Sequence, residues 1–231
     1  LDVMSAGVAL SWATEATEKG IISDQETIVS LRFGHAEAYK QAVGHLGSGV
    51  NDFYRLLGMG TFKAAEHYGG ADYACVLGQE MAGYATGEVF YTAQSLGFRH
   101  SHLDSSGYSY DQKHDRKDVQ KAVDFLITDE QERVLLTSMV ACLFARKVYT
   151  QAHLVECLNS LSYTTIADNL ETIKQQIQRK RWQLRLASGF QPEAVTIPRR
   201  FTELTTWKGN TDINYLNALK SAYAQKINEI I

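Results

Sequence analysis

Apolar residues recur at helical rather than strand spacing along most of this 231-residue chain. In residues 5–19, Val8, Leu10, Trp12, Ala13 and Ala16 fall on one helical repeat, with Ser5 as the capping residue and Gly20 just past the end. Ser23 followed by Glu26 reads as a capping box. The pattern predicts further helices over 35–46 and 49–68, broken at Gly47, Gly49 and around Gly58-Met59-Gly60. Residues 73–77 read as a short strand or extended connector. Helices are then expected over 86–96, 118–126, 129–146, 150–160, 165–187 and 212–230. The clearest is 165–187, where Ile166, Leu170, Ile173, Ile177 and Leu184 form one apolar stripe ended by Ser188-Gly189. A polar, aromatic loop is expected over 97–117, and an irregular stretch over 189–210 holds both prolines.

Only 2 prolines occur in the chain, well under the average usage of roughly 5%, which agrees with helices rather than a turn-rich β-sandwich. The expectation is an all-α protein, in one body or two tightly packed lobes. Apolar residues at 45% and charged residues at 21% suit a soluble globular chain that buries a core. A net charge of −3 gives no sequence-wide pull toward nucleic acid or an anionic membrane. No run approaches the roughly 18 apolar residues of a membrane span. Leu1-Asp2-Val3-Met4-Ser5 has neither the basic nor the apolar region of a signal peptide, and the chain reads as a piece of something longer. Cys75, Cys142 and Cys157 are odd in number and widely spaced, which argues against a disulfide framework or a self-contained zinc site and fits a reducing cytoplasm.

The densest polar cluster is Gly97-Phe98-Arg99-His100-Ser101-His102-Leu103-Asp104. Its His-x-His-x-Asp grouping suits a metal ligand set or a general acid at neutral pH, beside the plainer reading of loop hydrogen bonding. By spacing alone, Cys142 lies in an apolar run and reads as a buried core thiol. Arg179, Lys180, Arg181 and Arg185 read as a solvated face favoured by the helix dipole, with docking of an acidic partner as the alternative.

Several segments taken together resemble one family, the tungsten- or molybdenum-dependent aldehyde ferredoxin oxidoreductases. Leu1-Asp2-Val3-Met4-Ser5-Ala6-Gly7, with the helix that ends Glu18-Lys19-Gly20, is similar to the family's Asp-x-x-Ser-x-Gly pterin loop and the helix after it. Leu31-Arg32-Phe33-Gly34, Gly60-Thr61-Phe62-Lys63-Ala64-Ala65, Leu77-Gly78-Gln79-Glu80 and Gly97-Phe98-Arg99-His100 continue the match in order. Cys142 and the segments Gly189-Phe190 and Ile197-Pro198-Arg199-Arg200-Phe201 complete it.

The resemblance implies helical domains 2–3 of that fold: the end of domain 2 over residues 1–85 and domain 3 over 86–231, without the N-terminal β domain. It implies a tungsten or molybdenum bis-pterin and a four-iron, four-sulfur cluster. Asp2 would accept hydrogen bonds from one pterin, Thr137 and Ser138 would begin the second pterin loop, and Cys142 would be the fourth cluster thiolate. His100 would stand beside the metal as a proton donor or acceptor. The implied reaction oxidises an aldehyde to an acid and passes electrons to ferredoxin or another carrier. The missing N-terminal region and a second copy are further implied partners, with no nucleic acid and no membrane span. The family's Cys-x-x-Cys-x-x-x-Cys is absent, so the chain alone is expected to be inactive and to hold no cofactor.

Two departures stand out. The second loop, Asp-x-x-Gly-Leu-Cys in the family, is here Thr137-Ser138-Met139-Val140-Ala141-Cys142, and valine in the glycine position argues against a left-handed backbone there. The stretch from Ser101 to Asp111 replaces the family's His-Leu-Arg continuation, which points to a divergent branch. Alternatives are an aryl-coenzyme A reductase subunit of the same family and a helical binding module without cofactor.

Overall fold

The computed structural model describes residues 1–231 apart from 82 and 99–102, and apart from the side chain of Gln79. In chain order the helices are α1 (Val3–Glu18), α2 (Asp24–Thr27), α3 (Ala36–Ser48), α4 (Asp52–Gly58), α5 (Thr61–Tyr68), α6 (Glu88–Leu96) and α7 (Gly107–Lys113). They continue as α8 (Val119–Ser138), α9 (Gln151–Ser160), α10 (Thr164–Asp168), α11 (Leu170–Ala187), α12 (Arg199–Glu203) and α13 (Ile213–Ile230). Two hairpins, β1 (Cys75–Val76) with β2 (Gln79–Glu80) and β3 (Thr205–Thr206) with β4 (Gly209–Asn210), are the sheet content among the described residues. In the first, Cys75 faces Glu80 in antiparallel register. The protein is all-α, and among the described residues no helix is long and apolar enough to cross a membrane.

The chain divides into two compact units. Unit one is Leu1–Ala85 with Ile197–Thr205; unit two is Thr86–Thr196 with Thr206–Ile231. In unit one, α1 supplies the central buried face through Leu10, Trp12, Ala13 and Ala16, which pack among Leu31, Ala42, Tyr54, Leu57 and Ala64. The helix begins earlier than its apolar pattern suggests: Asp2, not Ser5, is the cap, and its carboxylate accepts the Ser5 N–H at 2.7 Å. Its end is as expected. Gly20 has φ +70°, and the Ile21 and Gly20 N–H groups return to the carbonyls of Ala16 and Thr17. The Ser23–Glu26 capping box is present.

Unit two packs α6, α8, α11 and α13 around Val89, Leu96, Ala122, Leu126, Trp182, Leu219, Tyr223 and Ile227. A smaller cluster of Leu135, Leu154, Leu158, Ala167 and Leu170 lies at its other end. The expected loop over 97–117 contains α7, because Gly107 lets the chain run against α6: a Cβ there would come 2.9 Å from Phe90 Cα. The two helices expected over 118–126 and 129–146 are instead one, capped by Asp118 and ended at Ser138.

The stripe expected on 165–187 is also corrected. A break at Asn169 separates α10 from α11, and the buried face of α11 is Leu170, Lys174, Gln178 and Trp182, while Ile166 and Leu184 are exposed. Polar residues take the inward positions because each finds a partner. Lys174 Nζ is held by Glu132 and by Glu171 at 2.8 Å, and Gln178 spans the Gln131 side chain and the Ile127 carbonyl.

Candidate functional site

The sequence-derived site residues fall on both units. In unit one Asp2 opens α1 fully exposed, with its carboxyl held below the usual carboxylate range chiefly by the Ser5 backbone N–H. One oxygen accepts that N–H, the Ser5 side chain and the Met4 backbone also act on the carboxylate, and beside it lies a pocket of about 180 Å³ lined in part by Leu1, Ser5, Ala6, Leu57 and Gly60. Glu80 reaches the same place and caps α5 by accepting the Thr61 N–H at 2.8 Å. Exposed hydrophobic residues Leu1, Val3 and Met4 flank Asp2.

In unit two, Thr137 and Ser138 are exposed on the last turn of α8. The Thr137 hydroxyl is turned inward along the helix, 2.9 Å from the Arg133 carbonyl and 3.1 Å from that of Val134. Val140 follows in the left-handed conformation at φ +58°. Its own N–H reaches the Thr137 carbonyl at 3.1 Å, and the Ala141 N–H reaches Leu136 at 3.2 Å. This closure of the helix is one that glycine normally provides, so the expectation that valine would abolish the left-handed backbone is overturned. The two hydrogen bonds and full exposure of the side chain make the conformation tolerable.

Cys142 comes next, and it is exposed rather than buried in a core. The reason is the early end of α8: the apolar residues after Ser138 leave the helix, and Val140, Phe144 and Val148 are exposed like the thiol. Cys157 is also exposed, whereas Cys75 is buried and burial pushes its thiol up to about 12.

His100, the expected proton-transfer residue, and His102 lie outside the described residues. The described residues on either side of them, Phe98 before and Leu103-Asp104 after, are held by arginines. Arg181 stacks on the Phe98 ring at 3.8 Å and pairs with Asp104 at 3.5 Å. Arg133, nearly buried, donates to the Leu103 carbonyl at 3.0 Å and to Asp129 at 2.7 Å, and Asp129 accepts the Ser106 N–H at 2.6 Å. Arg185 lies on the Phe190 ring at 4.0 Å. The basic cluster of α11 is thus partly internal, not a solvated face. Sequence reasoning missed Asp129 and Arg133, although their four-residue spacing on a helix marks a pair.

Among the described residues no group of three or more His, Cys, Asp or Glu side chains is assembled to hold a metal ion. Asp2 fits a donor-rich ring, since it is an exposed carboxylate held below its usual range by hydrogen-bond donors, and Cys142 fits a single exposed thiolate of a shared cluster. Thr137 fits less well than an aspartate, because its proton is spent on the helix.

A family model described as aldehyde ferredoxin oxidoreductase, domains 2 & 3, matches residues 1–226. No curated protein matches the chain.

Proposed function

The chain belongs to the aldehyde ferredoxin oxidoreductase family, and from that premise we propose that it forms the helical part of an enzyme that oxidises an aldehyde to the carboxylic acid. The family is one of oxidoreductases. When bound, the tungsten or molybdenum bis-pterin and the four-iron, four-sulfur cluster supply the two-electron chemistry and its relay to ferredoxin or a similar carrier. This chain's residues bind and orient. Asp2, an exposed carboxylate at the start of α1, would accept from pterin N–H groups. Cys142 contributes one thiolate, the exposed Ser138 hydroxyl meets the second pterin in place of the inward-turned Thr137, and His100 moves the proton.

The observation that carries this reading is the left-handed turn at Val140, two residues before an exposed thiol at Cys142. A backbone normally reserved for glycine ends α8 here and sets where the chain presents the thiol two residues on. The test is iron content of the cofactor-loaded enzyme bearing Cys142→Ser, Cys75→Ser or Cys157→Ser. Cys142→Ser should lose the cluster while the other two retain it; equal loss in all three with folding intact removes Cys142 from the role. A helical module without cofactor is the second reading, favoured by the Thr137 hydroxyl being used within α8.

A further inference from the structure

Asp129 and Arg133 are i and i+4 neighbours on α8, so both side chains leave the helix on one face. That face holds the segment 103–106. Arg133 Nε pairs with Asp129 at 2.7 Å, and its Nη1 donates to the Leu103 carbonyl at 3.0 Å. Asp129 in turn accepts the Ser106 N–H at 2.6 Å and the Ser106 hydroxyl at 2.5 Å. A further tie comes from α11, where the Arg181 guanidinium meets both the Phe98 ring and the Asp104 carboxylate. Connecting segments normally run over the surface, yet Asp104, Ser105 and Ser106 are 4%, 4% and 6% exposed.

Stability alone does not call for charges at this place. An apolar pair of similar volume often serves a buried position equally well, whereas a guanidinium and a carboxylate bond only along fixed directions. The pair therefore sets register, fixing which backbone groups of 103–106 lie against which turn of α8. One turn on, the Thr137 hydroxyl donates to the Arg133 carbonyl at 2.9 Å, and the helix then ends in the left-handed turn that precedes Cys142. Arg133 thus holds the segment after His100 with its side chain and the last turn of α8 with its carbonyl.

We propose that Asp129 and Arg133 are positioning residues, which lock the segment following His100 to the helix that presents Cys142. The inference rests on the roles proposed above for His100 and Cys142 and adds the device that keeps the two in one fixed relation. Proton transfer depends steeply on placement, and a shift of about 1 Å can cost about 100-fold in rate.

The test uses the cofactor-loaded enzyme bearing Asp129→Asn or Arg133→Gln. The control on the same helix is Glu132→Gln, which leaves Lys174 paired with Glu171. Amide exchange read by mass spectrometry should quicken at least about tenfold over 103–106 in the first two variants and stay parental in the control. In those two, kcat should fall roughly 10- to 100-fold at unchanged KM and unchanged iron content. Either one combined with His100→Asn should fall no further than His100→Asn alone, which a general loss of stability would not produce. Ser106→Ala removes only the hydroxyl half of the contact and gives the same readings in weaker form should a charge variant fail to fold. Parental exchange over 103–106 removes the pair's hold on the segment and leaves the role of His100 standing. Full turnover in His100→Asn removes that role, and the function claimed for the pair with it. Quickened exchange at parental kcat, or losses that add in the double variants, would overturn the proposal.

Discussion

Trp182 Nε1 donates to Glu130 Oε2 across 3.3 Å in the middle of unit two, with the tryptophan 0% and the glutamate 2% exposed. The second carboxyl oxygen, Oε1, has no hydrogen-bond partner. Arg181 is the cation that acts on Glu130, yet it is already engaged with Asp104 and the Phe98 ring. Burial therefore dominates and pushes the carboxyl up to about 7, with Arg181 opposing and Asp104 adding to the shift. A buried acid without a full partner is best tolerated when it is protonated.

Stability should therefore rise as pH falls from about 7 to about 4.5, the interval between the folded and ordinary values of Glu130. Within that window the folded state holds a proton that the unfolded chain gives up, so the slope of unfolding free energy against pH is negative. Asp111 adds to it: burial pushes its carboxyl up to about 6 although it accepts from the Val89 and Phe90 N–H groups. The Glu130 contribution is on the order of 3 kcal/mol over the interval. Urea unfolding at a series of pH values should show the slope in the parent and lose most of it in Glu130→Gln. An unchanged slope in that variant would mean that the carboxyl ionises normally.

The three thiols should separate by reactivity. Cys142 and Cys157 are exposed and should react with a thiol reagent in the native protein at mildly alkaline pH. Cys75, buried and pushed up to about 12, should react only on unfolding. Mass spectrometry of the alkylated chain locates the modified residues, and native labelling of Cys75 at the rate of the other two would contradict its burial.

The role proposed for His100 rests on the family-like order Gly97-Phe98-Arg99-His100, in which His102 has no counterpart. In the cofactor-loaded enzyme His100→Asn should lower turnover by roughly 100- to 10,000-fold with metal content unchanged, and His102→Asn by much less. The reverse ranking would show that the loop is assigned to the wrong histidine.

Much of the helical framework was legible because apolar spacing and caps are local. Gly20 and the Ser23–Glu26 box stand where the pattern puts them. What local pattern could not carry was the partner that lets a polar residue go inside. Lys174 and Gln178 look like a solvent face until Glu132, Gln131 and the Ile127 carbonyl are brought to them from α8. The return of Ile197–Thr205 to unit one depends likewise on Arg200 meeting Glu15, a residue 185 positions earlier. At the candidate site, motif order nominated Asp2 and Cys142. The exposure of the thiol was not legible, because it follows from where α8 stops.

That stop leads to the sharpest stability prediction. Val140 is β-branched, sits at φ +58°, and is 95% exposed, so its side chain contributes almost no packing to offset the strain of its backbone. A left-handed conformation costs an ordinary residue about 1–2 kcal/mol. Glycine removes that strain but gains freedom in the unfolded chain, a loss of roughly 0.5–1 kcal/mol. Val140→Gly should therefore stabilise the protein by about 1 kcal/mol, seen as a higher urea midpoint with an unchanged slope. Met139, one residue earlier, has φ −82° and packs against the Leu135–Leu158 cluster. Met139→Gly should consequently destabilise, by losing both packing and backbone restraint. Opposite signs at adjacent positions cannot arise from a general effect of glycine near a helix end. If Val140→Gly instead lowers the midpoint, the backbone before Cys142 is not left-handed, and the turn proposed to present the thiol loses its basis.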